Sequence, residues 1–177
     1  MCAGFNNYVS IYSAIERPEM RNMTVTFDDG LLDVYTHAYP ILKQYKIPFT
    51  IFITTSLIGQ DGYLNLQQIK ELSNDPLVTI GSHCVHHKPL KGLTYDNQKI
   101  ELIQSHSELE KIIGKGVDLI AYPYGQYDKN TLDILEKNKI YKYGFVAEKG
   151  PINLQNKNPH LLPRVGIDNR IAKERAI

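Results

Sequence analysis

The chain has 177 residues, 42% apolar and 22% charged, enough for one globular domain of ordinary size without covalent staples. With 20 Lys and Arg against 19 Asp and Glu the formal charge is +1, which gives no electrostatic case for nucleic acid or an anionic membrane as partner. Two cysteines, Cys2 and Cys84, cannot build a disulfide framework, no run reaches the ~18 apolar residues of a membrane span, and residues 1–20 lack the pattern of a secretory signal, so the expectation is a soluble, cytoplasmic protein.

In chain order, short apolar runs alternate with longer amphipathic ones. Residues 23–27 read as a strand ending in Asp28-Asp29-Gly30, and residues 32–45 as a helix that Pro40 divides. Residues 49–54 (FTIFIT) are aromatic and β-branched, the composition of a buried strand. Asn65 is placed to cap a helix over 66–72, and 77–82 form the next strand. Thr94 caps a long helix that Gly114 ends, with Ile100, Ile103, Leu109, Ile112 and Ile113 as its expected buried stripe. A strand at 117–122, a helix at 130–138, a strand at 143–147 and a short strand at 161–165 follow. No repeat, low-complexity tract or linker interrupts this order, so residues 1–177 read as a single domain. The alternation predicts an α/β fold of right-handed βαβ units around a parallel sheet, with its chemistry at the carboxyl ends of the strands.

Three polar clusters fall at such ends. Thr26-Phe27-Asp28-Asp29-Gly30 closes the first strand. Two adjacent carboxylates are costly if buried without partners, and neighbouring side chains on a strand point to opposite sides. One aspartate can therefore bind a cation while the other faces another part of a pocket, and Gly30 permits the turn that follows. Taken alone, the motif also fits a surface turn whose aspartate caps a helix. Gly81-Ser82-His83-Cys84-Val85-His86-His87 ends a later strand, with His83 and His87 four apart and close enough to meet at one ion if the backbone coils. Two imidazoles and one carboxylate leave a coordination position open, the pattern of a catalytic zinc site, and one that also suits ferrous iron and cobalt. His86 reads as a neighbour of this site and Cys84 as a packed residue. Ile120-Ala121-Tyr122-Pro123-Tyr124-Gly125 closes a third strand. Its rings suit stacking on a sugar and its turn could aim an N–H at a developing oxyanion, although a packed Pro-Gly turn fits the same residues.

Together, TFDDG, GSHCVHH and AYPYG, in this order and spacing, resemble the motifs of the polysaccharide deacetylase family (carbohydrate esterase family four), over residues 23–168. The resemblance implies a distorted or incomplete (β/α) barrel, a divalent metal (zinc first, with cobalt, nickel or iron as alternatives) and an N-acetylated carbohydrate substrate. Carried over by position, Asp29, His83 and His87 would hold the metal. Asp28 would be the general base, and the backbone N–H of Tyr124 would help bind the oxyanion. The implied reaction is hydrolysis of the N-acetyl group of amino sugars in a polysaccharide or glycan precursor, releasing acetate and a free amine. AYPYG, with LPRVGID near the end, is similar to the subgroup acting on poly-N-acetylglucosamine.

Two departures bear on catalysis. Many members carry an Arg where this chain has Ala121, and that Arg positions the catalytic aspartate; the expectation is that Arg164 restores a positive charge beside Asp28. The family's later Leu-x-His motif, whose His protonates the leaving amine, is missing, and residues 1–22 hold no His to replace it. His37 and His106 fall on predicted helices, which leaves His160 as the candidate acid. A catalytically impaired relative that keeps the metal and a sugar-binding groove is the alternative, against which the intact Asp28 argues. A third possibility, an iron-dependent oxygenase, shares the ligand set but not the alternation of strands and helices.

Overall fold

A computed structural model of the protein describes residues 7–18, 22–148, 150–152 and 158–167, so that Cys2 and Asp168, the last residue of the resemblance, lie outside the described residues. A short parallel pair, β1 (Asn7–Tyr8) and β2 (Asn22–Met23), flanks helix α1 (Ile11–Glu16). Six parallel strands follow in unbroken sequence order: β3 (Val25–Phe27), β4 (Phe49–Ile53), β5 (Val78–Ser82), β6 (Leu119–Ala121), β7 (Tyr143–Val146) and β8 (Leu162–Pro163). Helices α2 (Tyr39–Gln44), α3 (Leu66–Asn74), α4 (Tyr95–Ile113) and α5 (Lys129–Asn138) lie between them. Among the described residues β3 and β8 share no backbone ladder, yet Arg164, directly after β8, bonds to Thr26 and Asp28 at the end of β3. The sheet therefore curls into an incomplete (β/α) barrel whose first and last strands face each other.

Strand alternation divides the core in two. Outward-facing Phe49, Ile51, Ile53, Val78, Ile80 and Ile120 pack under the helices. Inward-facing Phe52, Leu119, Ala121, Phe145 and Leu162 fill the barrel with Ile11 and Ile15 of α1. This short helix was not expected from the sequence. Its two isoleucines are 1% and 2% exposed and plug the interior, each worth about 1.5–3 kcal/mol of apolar burial. The interior is narrow: a Cβ on Gly81 would lie 2.6 Å from the Phe52 ring, so β5 can pass Phe52 only with glycine there.

Two helices differ from expectation. The 32–45 segment is helical, but Val34–Ala38 form a π-turn in which the Tyr39 N–H reaches back five residues to the Val34 carbonyl. Pro40 has no N–H to continue the usual ladder, which accounts for the widened turn. In α4 the buried residues are Gln98, Glu101, Leu102, Ser105 and Leu109, while Ile100 is exposed. Of the expected stripe, Leu109 is buried and Ile112 and Ile113 pack against the core, while the polar residues Gln98, Glu101 and Ser105, which find partners on the inner face, were not part of it. No helix among the described residues is long and apolar enough to cross a membrane.

Candidate functional site

The three sequence clusters meet at the carboxyl end of the sheet. Asp29 Oδ1, His83 Nε2 and His87 Nε2 converge, with Asp29 Oδ1 3.6 Å from the first imidazole nitrogen and 3.2 Å from the second. Bonds of about 2.0–2.2 Å at a tetrahedral ion would put ligand atoms ~3.3–3.6 Å apart. Among the described residues Asp29 Oδ1 is buried without a hydrogen-bond donor, a costly state unless a cation compensates it. His83 Nδ1 lies 2.7 Å from the Ala121 carbonyl. A carbonyl can only accept, so Nδ1 carries the proton and Nε2 turns its lone pair toward Asp29. Burial lowers the His83 pKa, outweighing the raising effects of Asp28, the Ala121 bond and Asp29, which keeps the ring in the neutral form a metal requires. Oxygen and nitrogen lone pairs thus face one another, and the donor set fits a divalent metal.

Cys84 lies beside these ligands but is fully buried, and burial, with Glu101, raises its thiol pKa well above the ordinary value. It is a packed thiol, as expected from the sequence. The backbone carries the strain of convergence. Asp29, Cys84, His87 and Tyr124 all have left-handed φ, between 53° and 69°, at a cost of about 1–3 kcal/mol for each non-glycine residue.

Asp28 points into the barrel on the other side of the cluster. Arg164 grips it with two hydrogen bonds, Nη1 to Oδ1 at 2.7 Å and Nη2 to Oδ2 at 2.9 Å, and Nη1 also donates to Thr26 Oγ1 at 3.2 Å. The guanidinium lies over the Phe52 ring at 4.9 Å. Burial pushes the Asp28 pKa up, but the Arg164 bonds and charge, aided by His83 and His87, overcome it and hold the carboxyl below the usual range. Ala121 meanwhile packs inside the barrel with Phe52 and Phe145, and the guanidinium beside Asp28 comes instead from Arg164, directly after β8. Tyr124 is 63% exposed with its ring 4.8 Å from that of His87, at the mouth of the site.

The candidate acid does not join them. His160 Nε2 is bonded to the Tyr141 carbonyl at 3.0 Å and its own carbonyl accepts from Tyr122 Oη. His106 packs on Tyr141, and exposed His37 contacts Thr36. A residue the sequence did not single out does belong to the neighbourhood. Glu101, 4% exposed on α4, accepts the backbone N–H groups of Val85 and His86 at 2.9 Å each and meets His86 Nδ1 at 2.7 Å.

The sequence model of the polysaccharide deacetylase family matches residues 16–143, which include every cluster residue except Arg164. The chain belongs to the polysaccharide deacetylase family. This family member is 33% identical over 162 residues to the poly-beta-1,6-N-acetyl-D-glucosamine N-deacetylase of Staphylococcus aureus, covering 84% of the present chain and 55% of the relative. The chain thus spans about half the length of the curated relatives it matches. Its structure resembles the Streptococcus pyogenes deacetylase PplD in complex with acetate, with a TM-score of 0.82, 32% identity, and coverage of 92% of this chain and 74% of that one. It also shares the fold of IcaB from Ammonifex degensii, with a TM-score of 0.80 at 24% identity over 94% and 79% of the two chains. The incomplete barrel is therefore the polysaccharide deacetylase fold.

Proposed function

We propose that this protein is a metal-dependent deacetylase that hydrolyses the N-acetyl group of amino sugars in a polysaccharide or glycan precursor. The observation that carries the reading is the convergence of an unpartnered buried Asp29 Oδ1 with two imidazole nitrogens, beside an aspartate held by arginine. Asp29, His83 and His87 would hold a divalent ion, zinc first by its fit to two imidazoles and a carboxylate, with cobalt, nickel or iron as substitutes. When bound, such an ion supplies Lewis acidity and an acidified water. Asp28, kept ionised by Arg164, takes the proton of the attacking water at a carboxylate oxygen. Arg164 fixes the orientation of that carboxylate through both its oxygens. The Tyr124 N–H offers a donor to the developing oxyanion, and its exposed ring offers a face to the sugar.

The relatives support the substrate class. The S. aureus protein is named for deacetylating an N-acetylglucosamine polymer, and acetate, the product this reaction would release, accompanies the S. pyogenes protein. The arginine-held Asp28 removes one ground for a catalytically impaired relative. The test measures bound metal and then acetate release from N-acetylglucosamine oligomers, with Asp28→Asn in parallel. Acetate release that depends on added metal and falls in Asp28→Asn is the expected result. Metal binding without release of acetate from any acetylated sugar would sink the reading, and an unchanged rate in Asp28→Asn would remove Asp28 as base.

A further inference from the structure

We propose that Glu101 is a positioning residue that sets the metal loop from the helix side, an inference that rests on the metal reading above. The loop Cys84–His87 must turn sharply, with left-handed φ at Cys84 and again at His87, to bring His87 back toward His83. A loop bent this way cannot satisfy its own amides, and they are satisfied from outside it. The Cys84 N–H donates to Ser82 Oγ at 3.2 Å, and the Val85 and His86 N–H groups both donate to Glu101 Oε2. On the opposite side the Cys84 and Val85 carbonyls accept from the Thr55 and Ser56 amides at 3.1 and 3.0 Å.

Glu101 is the side chain in this arrangement that comes from a distant helix. Of its inward neighbours on α4, Gln98 bonds Asp128 and Thr131, and Ser105 bonds Tyr141 and Ser82, reaching the loop at one remove through the Ser82 Oγ that accepts the Cys84 N–H. Both oxygens of Glu101 are given to the metal loop, Oε2 to two amides and Oε1 to His86 Nδ1. Burying a carboxyl group is expensive unless such donors compensate it. Without it, the Val85 and His86 amides just before His87, the first of them buried, would have to find other acceptors, and the loop would re-form with His87 displaced.

The experiment titrates the purified, metal-stripped protein with Co(II) and reads both the dissociation constant and the visible ligand-field spectrum. It compares wild type with Glu101→Ala, Glu101→Asp, Glu101→Gln and Gln98→Ala. Loss of outer support around a metal site lowers metal affinity by about 10–100-fold, and a loss of this order is expected for Glu101→Ala, with an altered spectrum, although Glu101 acts through the loop and not on a ligand directly. Glu101→Asp retracts the carboxyl by one methylene and, should the Ala variant not fold, is expected to show the same direction. Glu101→Gln keeps an oxygen for the two amides and is expected to restore affinity and spectrum. Gln98→Ala removes buried bonds from the same helix face and is expected to lower the melting temperature while leaving Co(II) binding unchanged. Wild-type affinity and spectrum in the Asp variant, or in the Ala variant where that folds, would overturn the proposal. So would a Gln variant no better than Ala, or a Gln98→Ala variant that loses cobalt equally. A wild type that binds no Co(II) or Zn(II) would instead defeat the underlying metal reading, and this proposal with it.

Discussion

The two halves of the site are built in opposite ways. The histidine half follows a central strand, and the chain within it is gripped at nearly every polar group: His83 by Ala121, Cys84 by Ser82, Val85 and His86 by Glu101, and two carbonyls by the Thr55–Ser56 amides. The aspartate half follows β3, an edge strand, and Asp28 keeps a side chain 39% exposed. Its orientation rests chiefly on Arg164, from 136 positions along the chain. The loop that carries the proposed histidine ligands is thus held by several contacts, whereas the proposed base depends on one residue at high sequence separation. The contrast predicts that damage to catalysis and damage to metal binding can be separated by mutation.

The sharpest way to break the contrast is to remove a ligand. His87→Ala is expected to lower metal affinity by more than the ~100-fold that loss of an outer partner brings, read by isothermal titration with zinc. Near wild-type affinity would mean that the redundancy extends to the ligands themselves, against the site proposed. Arg164→Ala should do the reverse, lowering kcat by about 10–100-fold, part of the ~10²–10⁴-fold due to acid–base help, while zinc affinity stays near wild type. Arg164→Lys should recover little, since a point charge cannot reproduce the two-pronged grip. Joint loss of metal and rate in Arg164→Ala would show that the halves are not separable.

Gly81→Ala probes the shared wall beneath both halves. Forcing a Cβ against the Phe52 ring is expected to destabilise the fold by about 1–3 kcal/mol, measured by urea unfolding. Asp128→Ala lies outside both halves and gives the smallest effect, about 1 kcal/mol for a lost helix cap, with unchanged zinc affinity. Burial raises the Asp128 pKa, but Gln98 and the Thr131, Gly92 and Asn130 amides outweigh it, and the net shift is downward. A lowered folded pKa means the contribution is present above the ordinary aspartate value of 3.8 and is lost as pH falls below it. Urea midpoints of wild type and variant should therefore converge in acid, and a constant gap across the titration would contradict this.

How much was legible follows from the same physics. Alternating strands and helices announced the parallel α/β sheet, because a strand buried on both faces leaves a dense apolar run such as FTIFIT, while its curling into an incomplete barrel came from the family resemblance. Asp28, Asp29, His83 and His87 stood out because ionisable groups at strand ends have few structural uses. Arg164 was legible only through the gap at Ala121. Glu101 was hidden because a polar residue at helical spacing reads as solvent-facing until its partners on another element are known; the same masking put exposed Ile100 into the expected stripe in its place. Helix α1 went unread because its two isoleucines, Ile11 and Ile15, are too few to make a periodic signal. The left-handed φ at Asp29, Cys84, His87 and Tyr124 has no sequence mark, since none of the four is glycine.

The arginine that orients Asp28 also bridges the two edges of the sheet, which share no ladder among the described residues, joining the residue after β8 to Thr26 and Asp28 beside β3. Fastening the barrel and aiming the proposed base are one event. A thermal fluctuation that parts this seam would admit water to the Phe52-lined interior and disarm Asp28 in the same motion. Hydrogen exchange at the Arg164 amide, which donates to the Val146 carbonyl, then becomes a clock for the lifetime of the closed seam.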